Sequence, residues 1–166
     1  MTEPPFRWPL KDNEIRVIDG DTVEVKADRG WKDTKVVSVR ILGTDAPESN
    51  TRQNLLERQA GKLVTRVVQL WVDRWLTEGV QFFASSEDRP KYANRVIGRL
   101  WADSLERPGA ELSAFLLVGG FARPYQGGKR PEWSDQDLDA IIKRCRAYLA
   151  PSENSQESLD PEGGTS

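Results

Sequence analysis

Hydrophobic and polar positions alternate in the first third of the chain, as they do in strands that bury one face. In Thr22–Ala27, valine and alanine side chains alternate with polar ones, which predicts a half-buried strand. A preceding strand is predicted at Glu14–Asp19, because the Asp19-Gly20-Asp21 sequence favours a hairpin turn. The β-branched run Lys35–Gly43 predicts a third strand that ends at a glycine.

The spacing of apolar residues then lengthens to three and four positions. This spacing holds over Leu55–Leu76 and predicts a long amphipathic helix. Strand character returns at Val80–Ser85 and Arg95–Ala102. Further helices are predicted at Ala110–Val118 and after Ser134, a good capping residue. The order of these elements indicates an α+β fold.

The two ends of the chain differ from the body in composition. Residues 1–12 are expected to form an extended arm, from which Phe6 and Trp8 pack back onto a domain spanning residues 13–150. Pro151–Ser166 is polar and acidic, and is expected to be disordered because it has too little apolar surface to bury. The first residues hold three prolines and no apolar block, so no secretory signal is predicted. The chain as given is expected in the cytoplasm, or outside the cell if a leader has been removed.

Two absences in the composition narrow the chemistry. The chain has no histidine, which excludes histidine-based acid–base catalysis and histidine metal sites. It has one cysteine, Cys145, which excludes an internal disulfide and a cysteine zinc site. Any metal must therefore be held by oxygen atoms, as calcium, magnesium and manganese are. Cys145 itself lies on the apolar stripe of the last helix and is predicted to be a core residue, together with Trp71, Trp75 and Trp101.

The net charge of −2 is unevenly distributed along the chain. The segment from Pro151 holds four acids and no Lys or Arg, so the body has 24 basic against 22 acidic residues. A weakly basic body predicts modest, local affinity for polyanions. No apolar run approaches the roughly 18 residues that a membrane span needs.

Two polar clusters follow predicted strands and carry the candidate chemistry. The blocks Val17-Ile18-Asp19-Gly20-Asp21-Thr22-Val23 and Val39-Arg40-Ile41-Leu42-Gly43-Thr44-Asp45-Ala46-Pro47-Glu48 resemble, in order and separation, the signature blocks of the staphylococcal nuclease family. Later landmarks resemble the same family: Glu57, Ala60-Gly61, Asp88, Lys91-Tyr92, Arg95, and Gly120-Phe121-Ala122-Arg123 with Tyr125. The resemblance extends from about Ile15 to Tyr125.

The resemblance implies an OB-fold β-barrel of five strands with about three α-helices. It also implies a cation bound by Asp21, Asp45 and the backbone carbonyl of Ala46, with Ca²⁺ favoured and Mg²⁺ or Mn²⁺ as alternatives. Glu48 would position or deprotonate the attacking water. The remaining roles are phosphate contacts from Arg40 and Arg95, further substrate contacts from Lys91, Tyr92 and Tyr125, and support from Asp19, which otherwise only braces its turn.

The implied activity is cleavage of DNA, and of RNA as a second substrate, with low sequence specificity by a monomer. The 5′ P–O bond would break and leave 3′-phosphate ends. The residue types suit this chemistry, because a phosphodiester gains negative charge in its transition state and needs cations aimed at its oxygens. Arginine can contact two phosphate oxygens at once, and without histidine a carboxylate such as Glu48 is the natural general base.

The sequence departs from the family pattern just before Arg95. Two residues instead of one separate Tyr92 from Arg95, so Arg89 or Arg99 could take the place of Arg95. A bulge in the loop is favoured over a shift of the strand. A shift of one residue would turn apolar Val96 and Leu100 towards solvent, since strand faces alternate.

Simpler interpretations exist for each motif. The two aspartate clusters could be an ordinary turn and a solvated connection. Arg40 could form a structural ion pair with Glu57 or another acid, and Lys129-Arg130 could be a solvated pair or a backbone contact. At the level of function, the alternatives are a catalytically silent OB module that binds single-stranded nucleic acid, or an interaction protein that uses the barrel as a scaffold.

Overall fold

The computed structural model describes residues 4–88 and 94–151, which form an α+β fold with a curled six-stranded sheet, a two-stranded sheet and three helices. The strands are β1 (Arg7–Asp19), β2 (Thr22–Asp28), β3 (Thr34–Ile41), β4 (Thr44–Asp45), β5 (Phe82–Ser85), β6 (Arg95–Gly98), β7 (Leu100–Ala102) and β8 (Arg123–Pro124). The helices are α1 (Leu55–Thr77), α2 (Leu112–Val118) and α3 (Asp135–Leu149). None of the helices in these two segments is long and apolar enough to cross a membrane.

The large sheet has the strand order β6-β3-β2-β1-β5-β7 and is antiparallel except between β3 and β6. Its two outer strands, β6 and β7, are separated in sequence by Arg99 alone, so the sheet curls back on itself as a half-barrel compatible with an OB-like fold. The end of β6 lies close against the end of β5, which Gly98 permits, since a Cβ there would overlap the backbone carbonyl of Ser85. Ser85 N also donates to Arg99 O at 3.0 Å.

Strand β1 begins at Arg7 rather than at the predicted Glu14. The alternation of hydrophobic and polar residues is interrupted at Asp12 and Asn13, but contacts of Asn13 with the chain around β5 stabilise the interruption. Asp12 and Asn13 adopt left-handed backbone angles, and the pairing with β2 shifts register between Leu10 and Ile15. The Asn13 side chain accepts from Phe82 N at 2.9 Å and donates to Val80 O at 2.8 Å. Leu10 is buried, whereas Phe6, which was expected to pack on the body, is 62% exposed.

Helix α1 supplies much of the core. Its N-cap is Asn54, whose side chain accepts from Glu57 N, and its apolar stripe packs on the sheet and on α3. The predicted core residues Trp71, Trp75, Trp101 and Cys145 are all buried. Ser134 caps α3 as predicted, accepting from Asp137 N at 3.1 Å. The tail predicted to be disordered lies outside the described residues beyond Pro151.

Candidate functional site

Two buried aspartates come together where the β1–β2 turn meets the chain after β3. Asp21 is 2% exposed and Asp45 is fully buried. Asp21 Oδ2 accepts a 2.8 Å hydrogen bond from Ala46 N, which joins the two sequence blocks directly. Gly20 makes this approach possible, because a Cβ there would lie 2.9 Å from that of Ala46 and still closer to Val64 of α1.

Arg40 lies between these aspartates. Its Nη1 forms an ion pair with Asp21 Oδ1, and its Nη2 lies 3.6 Å from Asp45 Oδ1. The interpretation of Arg40 as an ion-pair partner is thus correct, but the partners are Asp21 and Asp45 rather than Glu57. A buried charge needs such pairing, since leaving it alone would be costly.

A second guanidinium reaches Asp45 through the small sheet. Strands β4 and β8 pair Asp45 with Arg123, whose Nε and Nη2 both lie 2.8 Å from Asp45 Oδ2. Arg123 is held firmly, because it also donates to Pro131 O at 2.5 Å and stacks 3.7 Å above the ring of Trp133. Asp45 is therefore neutralised on one side by a fixed cation.

Arg130 provides a third guanidinium on the exposed side of the cluster. It forms an ion pair with Asp45 Oδ1, donates to Ala46 O at 3.1 Å, and donates to Glu48 Oε1 at 2.5 Å. The expectation that Lys129-Arg130 is a solvated charge pair is therefore wrong for Arg130, which contacts two acids as well as a backbone carbonyl. Its long side chain reaches inward from an exposed, glycine-rich segment.

Glu48 lies at the solvent side of the cluster, with its side chain half-exposed. Its amide donates to Glu57 Oε1 at 3.2 Å, so the first turn of α1 fixes the backbone that carries it. Gly61 lies directly beneath, because a Cβ there would be 2.5 Å from the carbonyl carbon of Glu48. Beside Glu48 opens a polar cleft of about 430 Å³, lined among others by Asn54, Glu132 and Trp133.

Arg95 lies on the same face of the sheet as Arg40. In the parallel pairing of β3 with β6, Val96 pairs with the buried Val39 and packs against the core, while Arg95 projects to the opposite face. Its Nη2 is 3.5 Å from Thr22 Oγ1, next to Asp21, and its Nε is buried without a hydrogen-bond partner among the described residues. Leu100 is also fully buried, as the unshifted strand requires.

The alternatives to Arg95 are differently placed. Arg99 binds Glu87 through Nε at 2.9 Å and Nη2 at 2.6 Å, which directs its guanidinium to another acid. Arg89, Lys91 and Tyr92 lie outside the described residues. Arg95 is therefore the arginine of this strand whose contacts lead towards Asp21.

Two further predicted residues have local roles. Tyr125 donates its hydroxyl to Gly128 O at 2.5 Å and its amide to Gly43 O, so it braces the loop that leads to Arg130. Asp19 Oδ1 accepts from Gly20 N at 2.9 Å and from Ser49 N at 3.3 Å. These bonds tie the β1–β2 turn to the segment that follows Glu48.

Burial dominates the electrostatics of the two acids in the turn. Burial raises the pKa of Asp21 despite the opposing effect of Arg40 and the hydrogen bond from Ala46. The pKa of Asp19 is raised by the same cause. Asp45 Oδ1 is buried, and its contacts among the described residues are the ion pairs with Arg40 and Arg130, neither of which has hydrogen-bond geometry.

The donor set suits a hard cation. Asp21, Asp45 and the Ala46 carbonyl present oxygen atoms to one region, where Arg40 and Arg130 both lie against Asp45 Oδ1. In the described parts of the chain, no group of three or more acids, cysteines or histidines is close enough to form a complete metal site by itself. Arginines fill the positions around these oxygens.

Sequence reasoning missed the roles of Arg123 and Arg130. Their contacts join positions 78 and 82 residues apart, with Asp45 and Glu48 respectively. The sequence marked Arg123 only as part of the Gly120-Phe121-Ala122-Arg123 landmark and Arg130 only as a charge beside Lys129, and neither pattern specifies a distant acid as partner. A comparison of the chain with models of known protein families and with curated proteins found no match.

Proposed function

We propose that this protein is a Ca²⁺-dependent phosphodiesterase that hydrolyses DNA, and RNA as a second substrate, in the manner of the staphylococcal nucleases that its sequence blocks resemble. The observation that carries the proposal is the convergence of Asp21, Asp45, the Ala46 carbonyl and Glu48 around shared guanidiniums. Burying two aspartates requires several arginines to compensate their charge, and a protein that acted only as a scaffold would not need such an arrangement.

The proposal extends to the fold. Strands β6 and β7 together act as one interrupted strand that pairs with β3 at one end and β5 at the other. Counted this way, the curled sheet is a five-stranded OB barrel. The acids and Arg40 then lie at one end of the barrel, beside α1.

Each side chain has a role that its surroundings support. Asp21, Asp45 and the Ala46 carbonyl would hold the cation, which when bound supplies positive charge for the phosphoryl oxygens. Glu48 is half-exposed beside a cleft, so it can take a proton from water that enters there.

The two arginines on the sheet face serve the substrate. Arg40 and Arg95 project from the same face of β3 and β6, where both can contact a phosphate. Arg95 has no acidic partner among the described residues, and its only hydrogen bond there is a long one to Thr22. Its guanidinium is thus available to an anion.

The test is digestion of a fluorescent single-stranded DNA and of a plasmid in calcium, with and without excess chelator. We expect cleavage that requires the cation, and a loss of about a hundredfold or more in turnover for Glu48→Gln and for Arg40→Ala. The matched control is Glu132→Gln, which removes the charge of another acid lining the same cleft. Full cleavage in chelator, or near wild-type turnover for Glu48→Gln, would contradict the proposal.

A second candidate function is a catalytically silent module that binds single-stranded nucleic acid. It is favoured by Trp31, which is fully exposed at the tip of the β2–β3 hairpin beside Lys32, because exposed aromatic rings stack on bases. Saturable binding of DNA without cleavage in calcium, weakened by Trp31→Ala, would support this function instead.

A further inference from the structure

Arg130 contacts the oxygens that the proposed function gives to the cation and to water activation. Its guanidinium reaches Asp45 Oδ1, Ala46 O and Glu48 Oε1 together. Arg40 and Arg123 each contact aspartates in this cluster, but the structure shows neither bound to the Ala46 carbonyl or to Glu48. Among the described arginines, Arg130 alone contacts both Asp45 and Ala46, two of the proposed cation ligands, and Glu48, the proposed base.

The Arg130 side chain can leave the cluster without disturbing the core. Residues 126–129 are exposed, and Gly127 and Gly128 adopt left-handed backbone angles, with φ of 96° and 85°. The Arg130 side chain is about one-third exposed. Arg123 differs, because β8 pairing, stacking on Trp133 and a bond to Pro131 O anchor it at several points.

A guanidinium and a divalent cation compete for these oxygens. Both would need the lone pairs of Asp45 Oδ1 and of the Ala46 carbonyl, and their positive charges repel at such short range. Binding of a cation here therefore favours the departure of Arg130. The same displacement frees the Glu48 carboxylate from its 2.5 Å contact.

We propose that Arg130 is a displaceable internal counter-ion that occupies the cation ligands when no cation is bound, and so sets the cation affinity of the site. Cation binding and release of Glu48 are then one coupled event. The inference rests on the proposed function for the identity of the cation ligands, but it concerns binding and not cleavage.

The test is the affinity for Ca²⁺ measured by isothermal titration calorimetry, with luminescence of Tb³⁺ excited through tryptophan as a second probe. We expect Arg130→Ala to bind either ion about tenfold or more tightly, since the competing charged contacts are gone. Lys129→Ala is the matched control, because it removes the adjacent positive charge from the same loop without touching the acids, and its affinity should equal that of the wild type.

Folding is checked with a second variant. Arg130→Gln keeps a polar side chain and removes the charge, so it should also bind Ca²⁺ more tightly than the wild type. Thermal unfolding of each variant shows whether it is folded at the titration temperature. Unchanged or weaker affinity in a folded Arg130→Ala or Arg130→Gln protein, or no binding of either ion by any variant, would overturn the inference.

The outcome separates this inference from the proposed function. If the protein does not cleave nucleic acid but the Arg130→Ala variant binds Ca²⁺ more tightly than the wild type, the counter-ion role is supported and the nuclease function is contradicted. If the protein cleaves nucleic acid with calcium but its Ca²⁺ affinity is unchanged in Arg130→Ala, the nuclease function is supported and the counter-ion role is contradicted.

Discussion

Asp21 shows how the surroundings of one residue adjust its chemistry. It is almost fully buried, it accepts a backbone hydrogen bond from Ala46, and it pairs with Arg40. Burial outweighs the attraction of the guanidinium, so the pKa of Asp21 lies above its ordinary value of 3.8. Keeping this carboxylate ionised at neutral pH therefore lowers the free energy of unfolding.

The pH dependence of stability follows from this direction. A raised pKa in the folded state means that protonation of Asp21 stabilises the fold as the pH falls towards 3.8, and that this contribution is lost as the pH rises through the raised pKa. Asn cannot titrate, so Asp21→Asn should gain stability relative to the wild type as the pH rises from 3.8 to neutral. Urea unfolding at several pH values measures the difference, and a constant difference would contradict the assignment.

At the same scale, the sequence allowed some of the cluster to be predicted. Asp21, Arg40 and Asp45 lie in two short blocks, and the family resemblance predicted that they lie near one another, although it did not predict their ion pairs. Arg123 and Arg130 could not be paired with acids in this way. Their positions depend on the β4–β8 pairing and on a loop path, neither of which leaves a periodic pattern in the sequence.

At the scale of elements, helix α1 and the Glu48 segment form one unit through Gly61. A Cβ at Gly61 would lie 2.5 Å from Ser49 N and 2.6 Å from Pro47 O, so the helix packs directly on backbone. A side chain could rotate away from such an overlap, but backbone atoms cannot. The segment that carries Glu48 can thus pack this closely on α1 only because residue 61 has no side chain.

Gly61→Ala should therefore reduce both stability and any cleavage activity. Alanine raises helix propensity by about 1 kcal/mol over glycine, whereas overpacking typically costs about 1–3 kcal/mol, so we expect a net loss. Thermal and urea unfolding measure the stability, and the digestion assay measures the displacement of Glu48. Lys62→Ala, at the exposed neighbouring position of α1, should change neither. A Gly61→Ala protein as stable and active as the wild type would show that the Glu48 segment yields freely.

Elements were predicted well where one periodic pattern dominates. Helix α1 extends over Leu55–Thr77, one residue beyond the predicted end, because its apolar stripe is continuous. The beginning of β1 was missed because Asp12 and Asn13 interrupt the alternation there. The interruption is stabilised by Asn13 contacts with Val80 and Phe82, which lie far away in sequence.

At the scale of the whole molecule, Cys145 reports on the integrity of the core. It is fully buried on α3, and burial raises the pKa of its thiol to about 11. The reactive thiolate is therefore scarce as well as inaccessible. Alkylation by iodoacetamide at pH 8 should be slow in the folded protein and should accelerate in urea in parallel with unfolding, as followed by mass spectrometry. Rapid modification without denaturant would show that α3 detaches from α1 on its own.

The curl of the large sheet also bears on whether two copies of this protein can pair their strands. Outer strands offer unpaired backbone groups to which a strand of a second molecule can add. Here the outer strands are only four and three residues long, and both belong to one stretch of chain broken at Arg99. Such a short, bent margin is a poor template, so the curl that positions Arg95 beside β3 also protects the sheet from edge-to-edge aggregation.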